Sequence, residues 1–186
     1  TARLRAGVAR TQITTADPRV RVNDPLYAKA LVLDDGATRV AIVTMDAVAI
    51  GGIGDVSDQF LPELRRRIEA ELDIPAANVL VNASHTHPPG RLLCEHEEQV
   101  ERTFDAVRRA AAGMVPVRVG SGTGFENRFV VNRTLILKDG RHWTVRHANP
   151  CPPDDEVVDV GPIDPEIGIL CIDREDGRPF AVVYNY

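Results

Sequence analysis

Between Val40 and Val119 the chain alternates twice between an apolar run and a segment of helical period, and few architectures accept that order. Val40–Val43 is β-branched and almost continuously apolar, as a strand buried on both faces requires. Residues 55–74 place Leu61, Leu64, Ile68 and Leu72 at three- and four-residue spacing behind an acidic first turn, which predicts an amphipathic helix. Pro62 is tolerated there because first-turn amides have no helical partner. Residues 78–83, "NVLVNA", predict another strand. Residues 95–114 predict a second helix with Val100, Phe104, Val107 and Ala111 on one face and Gly113 at its end. "VPVRVGSG" from Val115 returns to a strand.

Hairpins surround this alternation. Asp35-Gly36, Asp139-Gly140 and Asp176-Gly177 each sit between strand-forming runs. Residues 149–166 carry five prolines and read as a loop. Early alternation followed by late hairpins predicts an α/β layered sandwich, with a mixed β-sheet and flanking helices. At 186 residues the chain is expected to form a single domain, or a part of one. It stops inside its last apolar run, at Tyr186, which reads as a fragment of a larger domain continuing beyond that residue.

Composition narrows the function classes. Net charge is −5, and the short basic clusters at Arg3 and Arg65 lie beside acidic residues, which argues against nucleic-acid binding. No apolar stretch approaches the ~20 residues that cross a bilayer. Cys94, Cys151 and Cys171 are odd in number and far apart, so they read as core thiols of a reducing compartment rather than a disulfide framework. That favours the cytoplasm over secretion, although a processed start at Thr1 would leave no signal peptide to see.

Three places carry candidate chemistry. His85-Thr86-His87 follows an apolar strand, where a turn can present two imidazoles to one metal, and zinc suits neutral imidazole. A polar loop whose histidines merely hydrogen-bond fits the same spacing. Asp46 ends another apolar run and needs a metal, an imidazole or an arginine as partner, unless it caps the following turn. Arg133, in "FVVNRTLIL", requires either an internal salt bridge or a carbonyl or oxyanion held in a cleft. "IGGIGD" has the first two glycines of a dinucleotide loop but Ser57 where the third belongs, and reads as a turn. A serine-hydrolase elbow is absent, since Ser121 in "GSGTG" stands one position early.

Taken in order, "AGVARTQIT", "YAKALVLDDGATRVAIVTMDAVAI", "NVLVNASHTHPPG", "NRT" and "DPEIGILCIDREDGRPFAVVYNY" resemble the N-terminal catalytic domain of the neutral/alkaline, non-lysosomal ceramidases. The resemblance implies a single zinc (Zn2+) and hydrolysis of an amide bond, with a small-molecule or lipid-like amide as substrate. It makes His85 a zinc ligand and His87 an active-site group near the reacting atoms. Asp46 would support the site and Arg133 would hold substrate. A further histidine, a glutamate and a tyrosine would complete the site from beyond Tyr186; His142 and His147 read as loop histidines. Two departures bear on substrate. Pro88-Pro89-Gly90 replaces the family's Ser-Gly-Pro, and the segment before "YAKALVL" is short and lacks a Met-Gly-Tyr stretch. The chain therefore reads as a zinc-dependent amidohydrolase, inactive as a fragment, with a non-catalytic ligand- or partner-binding domain as the alternative. Nucleotide binding at "IGGIGD" ranks last, and no oligomeric state is assigned.

Overall fold

The structure, a computed structural model, describes residues 3–87, 91–144 and 151–186. Pro88, Pro89, Gly90 and His147 lie outside them. The elements in the first part of the chain are β1 (Arg5–Gln12), β2 (Tyr27–Asp34), β3 (Arg39–Met45), α1 (Phe60–Leu72), β4 (Val79–Ala83) and α2 (His96–Ala112). They are followed by β5 (Val115–Phe125), β6 (Thr134–Leu137), β7 (His142–Thr144), β8 (Val157–Val160), β9 (Glu166–Arg174) and β10 (Pro179–Asn185). Seven strands pair in the order β10-β9-β5-β1-β2-β3-β4, and three more in the order β7-β6-β8. β1, β2 and β3 run antiparallel while β3 and β4 run parallel, so the fold is α/β with a mixed sheet. The chain divides into two compact units, residues 1–118 with 173–179 and residues 119–172 with 180–186.

In the first unit the parallel pairing of β3 with β4 requires a crossover, and α1 supplies it. Strand alternation turns Ala28, Ala30 and Val32 of β2, and Ala41, Val43 and Met45 of β3, toward the helices. They pack with Phe60, Leu64 and Ile68 of α1 and with Val100, Phe104, Val107 and Ala110 of α2, all buried. The many alanines let the second helix approach closely. A Cβ on Gly7 of β1 would stand 1.8 Å from the Ala110 carbonyl oxygen, so only glycine fits there. The helices are also joined directly. The Arg67 guanidinium lies 4.0 Å over the Phe104 ring and pairs with Glu71 and Glu101. His96 Nε2 lies 3.0 Å from Glu63 Oε2. On the opposite sheet face Val8 and Leu80 are exposed.

In the second unit the hairpin at Asp139-Gly140 joins β6 to β7, with Gly140 at φ 81° and the Arg141 amide donating to Asp139 Oδ1 at 2.9 Å. Residues 149–166, read as a loop, contain strand β8, which pairs with the other side of β6. No proline falls within Val157–Val160, and β8 is an edge strand, where flanking prolines cost no ladder bond. β1 was likewise not foreseen as a strand. His142, read as a loop histidine, begins β7. Of the three cysteines only Cys94 is a core thiol; Cys151 and Cys171 are exposed.

Candidate metal centre

Parallel pairing brings the carboxyl ends of β3 and β4 to one edge. Met45 stands opposite Ala83, and the Ser84 amide donates to the Met45 carbonyl at 2.9 Å. Asp46 and His85 therefore leave the sheet as neighbours, at the strand ends where open α/β sheets bind ligands.

His85 is held in an unusual way. Its φ is 58°, the left-handed region that an imidazole-bearing residue adopts at a cost of about 1 kcal/mol or more. Its Nδ1 lies 2.6 Å from the Val48 carbonyl oxygen. A carbonyl only accepts, so Nδ1 carries a proton, and in the neutral ring Nε2 keeps its lone pair. Metal-bound histidines are commonly oriented by this kind of contact through the nitrogen that does not ligate. The His87 ring stands at 83° to that of His85, with centroids 4.7 Å apart, and both histidines are exposed.

Asp46 is turned back onto β2. Its Oδ2 accepts the Tyr27 amide at 3.0 Å, and its Oδ1 accepts from Lys29 Nζ at 2.8 Å. Its own amide donates to the Tyr27 carbonyl at 2.9 Å. The carboxylate is thus charge-paired and mostly shielded, but its cation is a lysine that sequence reasoning passed over. The following Ala47 amide bonds the Met45 carbonyl at 2.9 Å, which tightens the turn leading to Val48.

The "IGGIGD" stretch forms bends rather than a cradle. Gly51, Gly52 and Gly54 all have positive φ. A Cβ on Gly54 would meet Val48 at 2.3 Å, so this loop is built to lie against the residue that holds His85. The Gly52 amide donates to Asp58 Oδ1 at 2.7 Å.

Arg133 belongs to the second unit and is exposed. No described residue forms an ion pair or hydrogen bond with it. Its position is fixed through its neighbours: Asn132 Nδ2 donates to the Pro162 carbonyl at 2.7 Å, and the Thr134 amide donates to Asn132 Oδ1 at 2.9 Å. Two open concavities of that unit lie beside β6, one toward β7 and the other toward β8, and none of the candidate residues lines either. Among the described residues no group of three or more His, Cys, Asp or Glu side chains is placed to hold a metal. His96, which sequence reasoning did not weigh, is used between the helices instead.

Fold and site together define a mixed α/β protein with two imidazoles at the carboxyl edge of its sheet. No family model matches the chain, and no curated protein matches it. Solved ceramidases share its fold. One is a ceramidase complexed with C2, at 19% identity and a TM-score of 0.66, matched over 99% of this chain and 31% of the other. Another is the neutral ceramidase from Pseudomonas aeruginosa, at 18% identity and a TM-score of 0.59, again over 99% and 31%. The chain thus spans about a third of the length of these relatives, and at such identity the likeness is one of fold. No helix among the described residues is long and apolar enough to cross a membrane.

Proposed function

We propose that this chain contributes to a zinc-dependent hydrolase acting on an amide (N-acyl) or related carbonyl bond. The observation that carries the reading is His85, whose Nδ1 is tied to the Val48 carbonyl so that Nε2 is free to ligate. The ceramidase fold supports it. The donor chemistry suits zinc, with His85 holding it; catalytic zinc commonly takes three protein ligands, so others must join His85. When bound, the metal supplies a polarised carbonyl and a water acidic enough to ionise near neutral pH.

The chain's own groups divide the remaining work. His87, exposed beside His85, is suited to accept the proton of the attacking water and return it to the leaving amine. Asp46 spends both carboxylate oxygens on β2, so its role is to orient rather than to move a proton. Arg133, exposed in the second unit with its guanidinium donors unpaired among the described residues, is of the chemical type that holds a substrate carbonyl or oxyanion. That the 186 residues act as the N-terminal part of one catalytic domain belongs to the same proposal, supported by their 31% coverage of the ceramidase chains.

A hydrolysis screen over N-acyl compounds, run on the full-length protein loaded with zinc, tests the reading. Release of free amine that His87→Ala lowers by about a hundredfold is expected; no hydrolysis of any N-acyl compound would sink it. A non-catalytic domain that binds a small ligand or partner at the same strand-end edge is the second reading.

A further inference from the structure

We infer that Lys29 is a positioning residue for the metal ligand His85, acting through the segment from Asp46 to Val48. The inference rests on the zinc reading of His85. Lys29 lies on β2 opposite Thr44 of β3, and its ammonium reaches Asp46 Oδ1 at 2.8 Å. The Tyr27 amide holds the other carboxylate oxygen at 3.0 Å, and the Tyr27 carbonyl holds the Asp46 amide at 2.9 Å. Three contacts from β2 thus fix Asp46 where β3 stops. Two residues later the Val48 carbonyl accepts His85 Nδ1 at 2.6 Å. Between them the Ala47 amide closes onto Met45 at 2.9 Å, and Gly54 packs against Val48 from outside. The path from ammonium to imidazole is therefore a short, hydrogen-bonded turn with little slack.

The charge arrangement makes this role specific to Lys29. The Asp46 carboxylate is 16% exposed, and Lys29 is its cation among the described residues. Arg10, directly across β1 from Lys29, is engaged elsewhere, its guanidinium 4.5 Å over the Tyr27 ring. Without the ammonium the carboxylate would keep one of its two anchors and could swing away from β2. Val48 would then loosen, and His85 would no longer be restricted to the tautomer that frees Nε2. Outer partners of metal-binding histidines commonly change metal affinity by 10–100-fold.

The test is zinc affinity of the full-length protein, measured with zinc alone by chelator competition, alongside thermal unfolding of the metal-free form. Lys29→Met is expected to weaken zinc binding about tenfold with little change in unfolding temperature. Lys29→Arg should restore most of the affinity, and Lys29→Met combined with Asp46→Asn should bind no more weakly than Asp46→Asn alone. If the methionine variant does not fold, Lys29→Gln decides by the same criteria. Unchanged affinity in the folded variant, or losses that add in the double variant, overturns the inference alone. A wild-type protein that binds no zinc overturns it together with the reading on which it rests.

Discussion

His85 occupies backbone space that glycine enters freely and other residues enter at a cost. A strained residue at a strand end, with one ring nitrogen committed, is the pattern expected where function outweighs stability. His85→Gly should therefore leave the metal-free protein as stable as wild type or raise its unfolding temperature, while zinc binding disappears. A fall of several degrees with zinc retained would count against the account. Cysteine reactivity gives a second check at this scale. Burial pushes the Cys94 thiol up to about 11, whereas Cys151 and Cys171 are exposed. A disulfide reagent at pH 8 should label those two quickly and Cys94 only after denaturation; rapid labelling of all three would contradict the packing. The histidine pair was legible because both residues stand together in one motif. Lys29 was not, because its partner lies 17 positions away and a lone lysine in a strand reads as a solvated side chain.

At the scale of elements, α2 and β1 approach closely at Gly7, where a Cβ would overlap the Ala110 carbonyl. Gly7→Ala should destabilise the protein by about 3 kcal/mol, since the new methyl meets backbone that cannot give way. Gly120→Ala, where nothing stands within reach of a Cβ, is the control and should be near neutral in urea unfolding. Equal effects would mean that the helix does not seat on Gly7. The β2–β3 hairpin carries a pH signature. The Arg39 guanidinium, 2.7 Å away, and the Gly36 amide hold the Asp34 carboxyl below the usual carboxylate range. A lowered folded value means that its contribution is complete above about pH 4, where the unfolded group is ionised. It is lost as pH falls through the lower, folded value. Asp34→Asn should cost about 1 kcal/mol at pH 7 and nothing in strong acid, read from urea midpoints; an unchanged midpoint at pH 7 would refute the pairing. Both helices and all three Asp-Gly hairpins were readable because period and turn chemistry are local signals. β1 was not, because Arg5 and Arg10 and small residues dilute its alternation. β8 was hidden by the prolines around it.

At the scale of the molecule, the fold class followed from the order of strand and helix patterns, and the ceramidase likeness of the fold agrees with motifs spread along the whole chain. The division into two units was not legible, because β5, β9 and β10 each run through the boundary without a break in pattern. Arg133 illustrates the same limit of local reading. An arginine in an apolar run suggests a buried pair, yet the run lies outside any helix or strand up to Arg133, and the side chain is exposed. The central claim concerns His85, and bound zinc in the purified full-length protein tests it most directly. The account predicts about one zinc per chain in the wild type and none after His85→Ala. Wild-type protein without zinc, or His85→Ala protein that still holds it, would contradict the account.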